Sequence, residues 1–219
     1  MNQSGGSSED PLSWISRVVN KLRSLWLAST YPFASVGKRL SVHYSCELSR
    51  SIANFIKIGD SVTIGRDAWL NIPDTSASEE PKLVLEDGCV IGRRCVLSAQ
   101  NQIYIGRDVV FGPQVLVMDH NHEFEDVNVA IALQGTTDGG KIRIEQGCWI
   151  GFGAAIVSGK GELIIGKNSV VGANSVVTRS VPPHSIVTGN PARIVKQFDP
   201  AKGKWGLGIT TLSNQKKSD

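Results

Sequence analysis

The amino-acid sequence predicts an all-β solenoid, a parallel β-helix with three short faces, on three observations. A large apolar residue recurs every six positions from Ile58 onward, as in "IGDSVTIGRDAWL", a period belonging neither to an α-helix nor to a single amphipathic strand. A small or narrow side chain stands two residues before the large one: Val62, Ala68, Cys89, Cys95, Val109, Val115, Cys148, Ala154, Ser169 and Ser175. The rhythm breaks only between groups of three units. The step is 15 from Leu70 to Leu85, 8 from Leu97 to Ile105, 27 from Val117 to Ile144 and 9 from Ile156 to Ile165. Three six-residue units make a coil of about eighteen residues, so every insertion falls at one corner of a triangular prism.

The elements follow in order. Residues 1–10, "MNQSGGSSED", are polar and expected to be a disordered tail. Residues 11–35 form an amphipathic helical segment. Pro11 suits a helix start, and Trp14, Ile15, Val18, Val19, Leu22, Leu25 and Trp26 recur at helical spacing beside the basic Arg17, Lys21 and Arg23. That stripe suits packing within an oligomer, or a peripheral membrane contact through residues 11–30. The β-helix is expected over 36–181, with the register of 36–57 left open and a loop extruded over 119–141. Five triplets, Ile58/Ile64/Leu70, Leu85/Ile91/Leu97, Ile105/Phe111/Val117, Ile144/Ile150/Ile156 and Ile165/Val171/Val177, should stack inside it about 4.8 Å apart. Pro182-Pro183 is expected to mark the exit, because proline supplies no N–H to a ladder, and 182–219 then form a C-terminal cap and tail anchored by Trp205.

Bulk properties narrow the function classes. A chain of 219 residues with 41% hydrophobic residues has enough for a core, and a net charge of +3 gives no field that would recruit nucleic acid. Its apolar runs are shorter than a membrane span, and "MNQSGGSSED" lacks the order of a signal peptide, so the expected location is cytoplasmic, with peripheral contact at the inner membrane face as an option. Cys46, Cys89, Cys95 and Cys148 form no Cys-x-x-Cys pair, and the repeat accounts for three of them as small interior fillers. They are expected to be reduced and structural.

The longest interruption, "VLVMDHNHEFEDVNVAIALQGTTDGGKIRI", holds two of the four histidines, and a long loop in a compact domain is commonly functional. His120 and His122 read either as solvated loop residues or as chemistry. Asp119, Glu123, Glu125 and Asp126 surround them, and one carboxylate could orient an imidazole. Asn101, on the preceding insertion "SAQNQ", Asp119 and His122 are the candidates for contact with an acceptor.

With the sixes, the "DHNH" loop, "GCWIGFGA" and "SVVGANSVVTRSVPPHSIVTGNPARIVK" in view, residues 55–196 resemble the hexapeptide-repeat acyltransferases, nearest the O-acetyltransferases of exopolysaccharide, capsule or lipopolysaccharide sugars. The resemblance implies a left-handed β-helix, a homotrimer, and acetyl-CoA as cosubstrate with no metal. It implies His120 as general base, taking a proton from a saccharide hydroxyl as the oxygen attacks the thioester. It also implies a cofactor path along Trp149, Gly153, Ala173, Thr178, Arg179, Arg193 and Lys196. Each of these has a plain structural alternative: turns for Gly153 and Ala173, interface packing for Trp149, a solvated helix face for Arg193 and Lys196. N-acetylation of an amino sugar would use the same base. A non-catalytic scaffold on this fold also stands. A zinc enzyme is disfavoured, since His120-x-His122 is the only close histidine pair.

Overall fold

The computed structural model describes residues 11–76 and 80–207, so the expected tails at 1–10 and beyond 207 lie outside the described residues. The chain winds into three parallel sheets, one per face of a prism. The first face stacks Ser35–Val36, Ile56–Ile58, Leu83–Leu85, Gln102–Ile105, Lys141–Ile144 and Glu162–Ile165. The second carries Ser41–Val42, Thr63–Ile64, Val90–Ile91, Val110–Phe111, Trp149–Ile150, Val170–Val171 and Ser185–Thr188. On the third are Trp69–Asn71, Val96–Ser98, Leu116–Met118, Ala155–Val157 and Val176–Val177.

Register follows the sixes. Leu85 pairs with Ile105, Ile105 with Ile144, and Ile144 with Ile165 up the first face. Phe111, Ile150 and Val171 are partners on the second, and Leu97, Val117 and Ile156 on the third. Every large residue of the five triplets is at most 2% exposed, and the hydrophobic effect acts on this continuous column rather than on any one coil. The narrow positions have a second task. Cys89, Cys95 and Cys148 turn their Sγ toward the carbonyls of Gly106, Gly112 and Gly166 at 3.1, 3.2 and 3.2 Å, each on the coil above. The cysteines are free and buried, so each fills a small space while donating a weak hydrogen bond.

The register left open in the sequence is now fixed. Val36, Val42 and Leu48 are a further triplet one coil below Ile58, Ile64 and Leu70, with Val36 paired to Ile58, Val42 to Ile64, and a bridge from Glu47 to Trp69. A six-residue 3-10 helix, Arg50–Phe55, separates the two coils.

The proline pair does not end the winding. Val181 bridges Ile165 in parallel, and Ser185–Thr188 pairs in parallel with Val170–Val171. Pro182 follows Val181 as Gly166 follows Ile165, and Gly166 donates its N–H to Val181 at 2.8 Å on the next coil. Among the described residues no further coil stacks above Pro182, so its missing N–H leaves no ladder bond unmade. Arg193–Asp199 then turns back antiparallel to Ser185–Thr188, and Lys204–Leu207 adds a further antiparallel strand, with Trp205 edge-on to Phe198 at 5.8 Å. The segment holding Arg193 and Lys196 is therefore a strand and not the helix face considered from sequence.

Helix α1, Pro11–Thr30, lies against the first coil. Leu27 enters the core fully buried, the Ser24 hydroxyl accepts from the Val42 amide at 2.8 Å, and an Arg23 guanidinium nitrogen donates to the Cys46 carbonyl at 2.9 Å. No helix among the described residues is long and apolar enough to cross a membrane.

Candidate active site

The corner between the third and first faces carries the insertions, and His120 stands there, two residues after Leu116–Met118. The chain leaves the prism at this corner as a finger. Asn121 and Thr137 exchange hydrogen bonds at 2.9 and 3.1 Å, His122 bridges Thr136, and Glu123 donates to Gly135 at 3.1 Å. A short helix, α2 (Ile131–Gln134), closes the tip. The tip exposes Phe124, Val127, Val129, Ile131 and Leu133. The finger returns through Gly139-Gly140. Gly139 has φ +83° and lies so near Gln100 and Asn101 that a Cβ would sit 3.1 and 3.2 Å from theirs. The "DGG" of the loop is what lets it re-enter the stack.

At the root of the finger the side chains are ordered by one buried carboxylate. Asp119 is fully buried, and its Oδ1 lies 3.0 Å from His120 Nδ1. The same Oδ1 accepts from the Gln100 amide at 2.7 Å, while Oδ2 accepts from the Asn101 amide at 3.0 Å. Its own backbone is held too: Gly140 N–H donates to the Asp119 carbonyl at 2.6 Å and Asp119 N–H to the Ser98 carbonyl at 3.4 Å. A carboxylate can only accept here, so the Nδ1 facing it carries a proton, and in the neutral imidazole the lone pair is then on Nε2. His120 is 7% exposed, a ring held in place rather than a solvated one. Asp119, expected to face an acceptor, is instead shut inside the corner and faces the imidazole.

The remaining candidates divide. Asn101 is exposed beside this root, its side-chain amide 3.4 Å from the Gly139 carbonyl, and His122 is exposed one step along the finger. Thr178 and Arg179 are exposed on the same edge of the prism, two coils above His120. Trp149, 56% exposed, projects from the second face between Val110 and Val170. Gly153 and Ala173 turn the corner between the second and third faces. Gly153 has φ +66°, but Gln114 and Asn174 hold the same turn position on the neighbouring coils at φ +60° and +55°, so glycine suits this turn without being required by it. Arg193 and Lys196 are exposed on the antiparallel strand at the open end. A single chain thus joins His120, Asp119 and Asn101 but leaves Trp149, Gly153 and Ala173 elsewhere on the prism.

Gln100 was not anticipated. It contributes a backbone amide, which leaves no mark on residue type, while its side-chain Oε1 is buried without a protein partner. Among the described residues no group of three or more His, Cys, Asp or Glu side chains is assembled as a metal would need.

Comparison with solved structures decides what this prism is. A point mutant of AntD, an N-acyltransferase from Bacillus cereus, solved with dTDP-4-amino-4,6-dideoxyglucose and coenzyme A, superposes with a TM-score of 0.63 at 20% identity over 76% of this chain and 84% of that one. The fold is that of the left-handed β-helix acyltransferases. By sequence, this β-helix chain is similar to proteins named as acetyltransferases. It is 30% identical to a probable acetyltransferase of Mycobacterium tuberculosis over 162 residues, 74% of this chain and 49% of the relative. It is also 30% identical to a putative lipopolysaccharide biosynthesis O-acetyltransferase of Escherichia coli, over 50% of this chain and 57% of that one. The chain thus spans about half the length of these relatives. No family model matches it.

Proposed function

We propose that this protein is an acetyl-CoA-dependent acetyltransferase that moves an acetyl group to a hydroxyl of a saccharide, with His120 as general base. The observation that carries this reading is the buried Asp119 carboxylate 3.0 Å from His120 Nδ1 at the root of the finger. It leaves Nε2 as the acceptor of a proton. The acceptor hydroxyl gives its proton to Nε2 as its oxygen bonds to the thioester carbonyl carbon. The tetrahedral adduct then breaks its C–S bond, and the departing thiolate takes the proton back from the imidazolium. Asp119 holds the tautomer and offsets the transient positive charge. Asn101 and His122, both exposed near the root of the finger, contact the acceptor.

For the cosubstrate, Arg193 and Lys196 are two exposed cations on one strand, suited to phosphates. Trp149 and the Gly153 and Ala173 turns line the pantetheine arm, and Thr178 and Arg179 lie toward its far end. Because the arm's residues and His120 occupy different parts of one prism, the working unit is a homotrimer in which a neighbour brings its arm groove to this His120. Three features support the trimer. The second face is outwardly apolar at Val90, Val110 and Trp149, and Trp69 adds to the third face. The first face is charged instead, with a Lys57–Glu86 ion pair at 3.3 Å and Arg143 over the Tyr104 ring. Lastly, the apolar tip of the finger needs a cover.

The test is thiol release from acetyl-CoA by the purified chain against a panel of free sugars and nucleotide sugars. We expect one class of acceptor to accelerate release, and His120→Ala to lower kcat by about 10²–10⁴-fold. Absence of any acceptor-dependent release, or an unimpaired His120→Ala, would remove the reading. A second reading, N-acylation of an amino sugar, is favoured by the amino-sugar nucleotide bound to AntD in the similar structure. A product stable to mild base would mark an amide, and a labile one an ester.

A further inference from the structure

We propose that α1 seats this protein on an anionic lipid surface. The helix has two faces with different fates. Asn20, Arg23, Ser24 and Leu27 turn toward the first coil: the Asn20 side chain accepts from the Tyr44 amide at 2.9 Å, and Ser24 and Leu27 are buried. At 3.6 residues per turn, Trp14, Ile15, Val18, Val19, Leu22, Leu25 and Trp26 fall within an arc of roughly 140° on the opposite side. Among the described residues nothing covers that arc. Trp14 is 66% exposed, Ile15 55%, Leu22 62%, Leu25 60% and Trp26 52%. Tyr44 extends it, lining shallow apolar depressions with Val19, Leu22 and Trp26 and with Ile15 and Val19.

The charge on the helix selects the occupant. Between residues 11 and 30 the charged side chains are Arg17, Lys21 and Arg23, and there is no aspartate or glutamate. Arg23 is turned inward to Cys46, and the exposed Lys21, with Arg17 one turn before it, stands along one border of the apolar arc. Two such helices packed face to face would bring like charges together. A bilayer with anionic headgroups instead meets the apolar arc with acyl chains and the basic border with phosphate, and tryptophans toward both ends of the arc suit the depth where the two meet. The helix lies on the surface and does not span it, and the proposal rests on α1 alone, independent of the chemistry at His120.

The full chain would be floated on density gradients with vesicles of phosphatidylcholine alone or with about one-third phosphatidylglycerol, with its oligomeric mass followed by light scattering. We expect flotation with the anionic vesicles only, weakened several-fold by raising salt. Leu22→Glu with Leu25→Glu alters exposed side chains, and a thermal melt checks that it folds; it should lose binding more than about tenfold at unchanged oligomeric mass. Lys21→Glu, which leaves the apolar arc intact, should lose about fivefold or more. Failure of the wild type to float with anionic vesicles would overturn the proposal, as would undiminished flotation of the Leu22/Leu25 variant. A change in that variant's oligomeric mass would also overturn it, because the stripe would then be covered by a second copy.

Discussion

Replacing Asp119 with asparagine separates charge from geometry at the candidate base. The carboxylate faces three donors: Oδ1 faces His120 Nδ1 at 3.0 Å and the Gln100 amide at 2.7 Å, and Oδ2 the Asn101 amide at 3.0 Å. The asparagine NH₂ must take one of these positions. At the Oδ1 position it would oppose two donors, at the Oδ2 position only one, so the amide oxygen stays toward His120 and the NH₂ opposes Asn101. The fold then loses one charge-assisted bond and gains a donor–donor contact in a fully buried site, a cost of about 1–3 kcal/mol, which corresponds to a Tm drop of roughly 2–12 °C for a chain of this size. The imidazole keeps its acceptor and its tautomer. What it loses is a formal negative charge beside the imidazolium, about 1.5–3 kcal/mol of transition-state stabilisation, or roughly ten- to a hundredfold in kcat. Steady-state kinetics on the acceptor found by the thiol-release screen, set beside His120→Ala, reads this out, with a thermal melt for the stability arm. Wild-type turnover in Asp119→Asn alongside a dead His120→Ala would refute the idea that the carboxylate acts through the ring. A loss as deep as that of His120→Ala would refute the amide orientation derived from the three donors.

Three other outcomes follow from the same structure. Ile150→Ala, at a fully buried rung between Phe111 and Val171, should cost about 2–5 kcal/mol, and a melt lowered by less than about 2 °C would mean the column does not act as one core. Burial pushes the thiols of Cys46 and Cys89 up to about 12 and that of Cys148 to about 11. These groups ionise more readily in the unfolded chain, so their contribution to stability is full below pH 9 and is lost between about pH 9 and 12. Ellman's reagent at pH 8 should accordingly find no fast thiol until denaturant is added, and prompt labelling of the native protein would contradict their interior placement. Arg193→Ala should weaken acetyl-CoA binding about fivefold by calorimetry with the acceptor absent, and an unchanged Kd would move the phosphates away from this strand.

How far the sequence could be read follows from where each decision is made. Each six-residue unit chooses its inward residue locally, and an inward residue must be apolar whatever lies above it. Period six therefore announces the prism one unit at a time, and the large residue of every triplet is buried. The first coil obeys the same rule at Val36, Val42 and Leu48, but the inserted 3-10 helix Arg50–Phe55 hides the phase between it and Ile58. The prolines misled because their cost depends on whether another coil follows, a fact about neighbours and not about residue type. The site divides in the same way. His120 was legible because it interrupts a period. That Asp119, among the acidic residues of its loop, is the one facing the ring depended on Gln100 and Asn101 offering it two backbone amides from the coil below. Backbone donors carry no signature in residue type, so the group that fixes the tautomer of His120 becomes visible only when the coils are stacked.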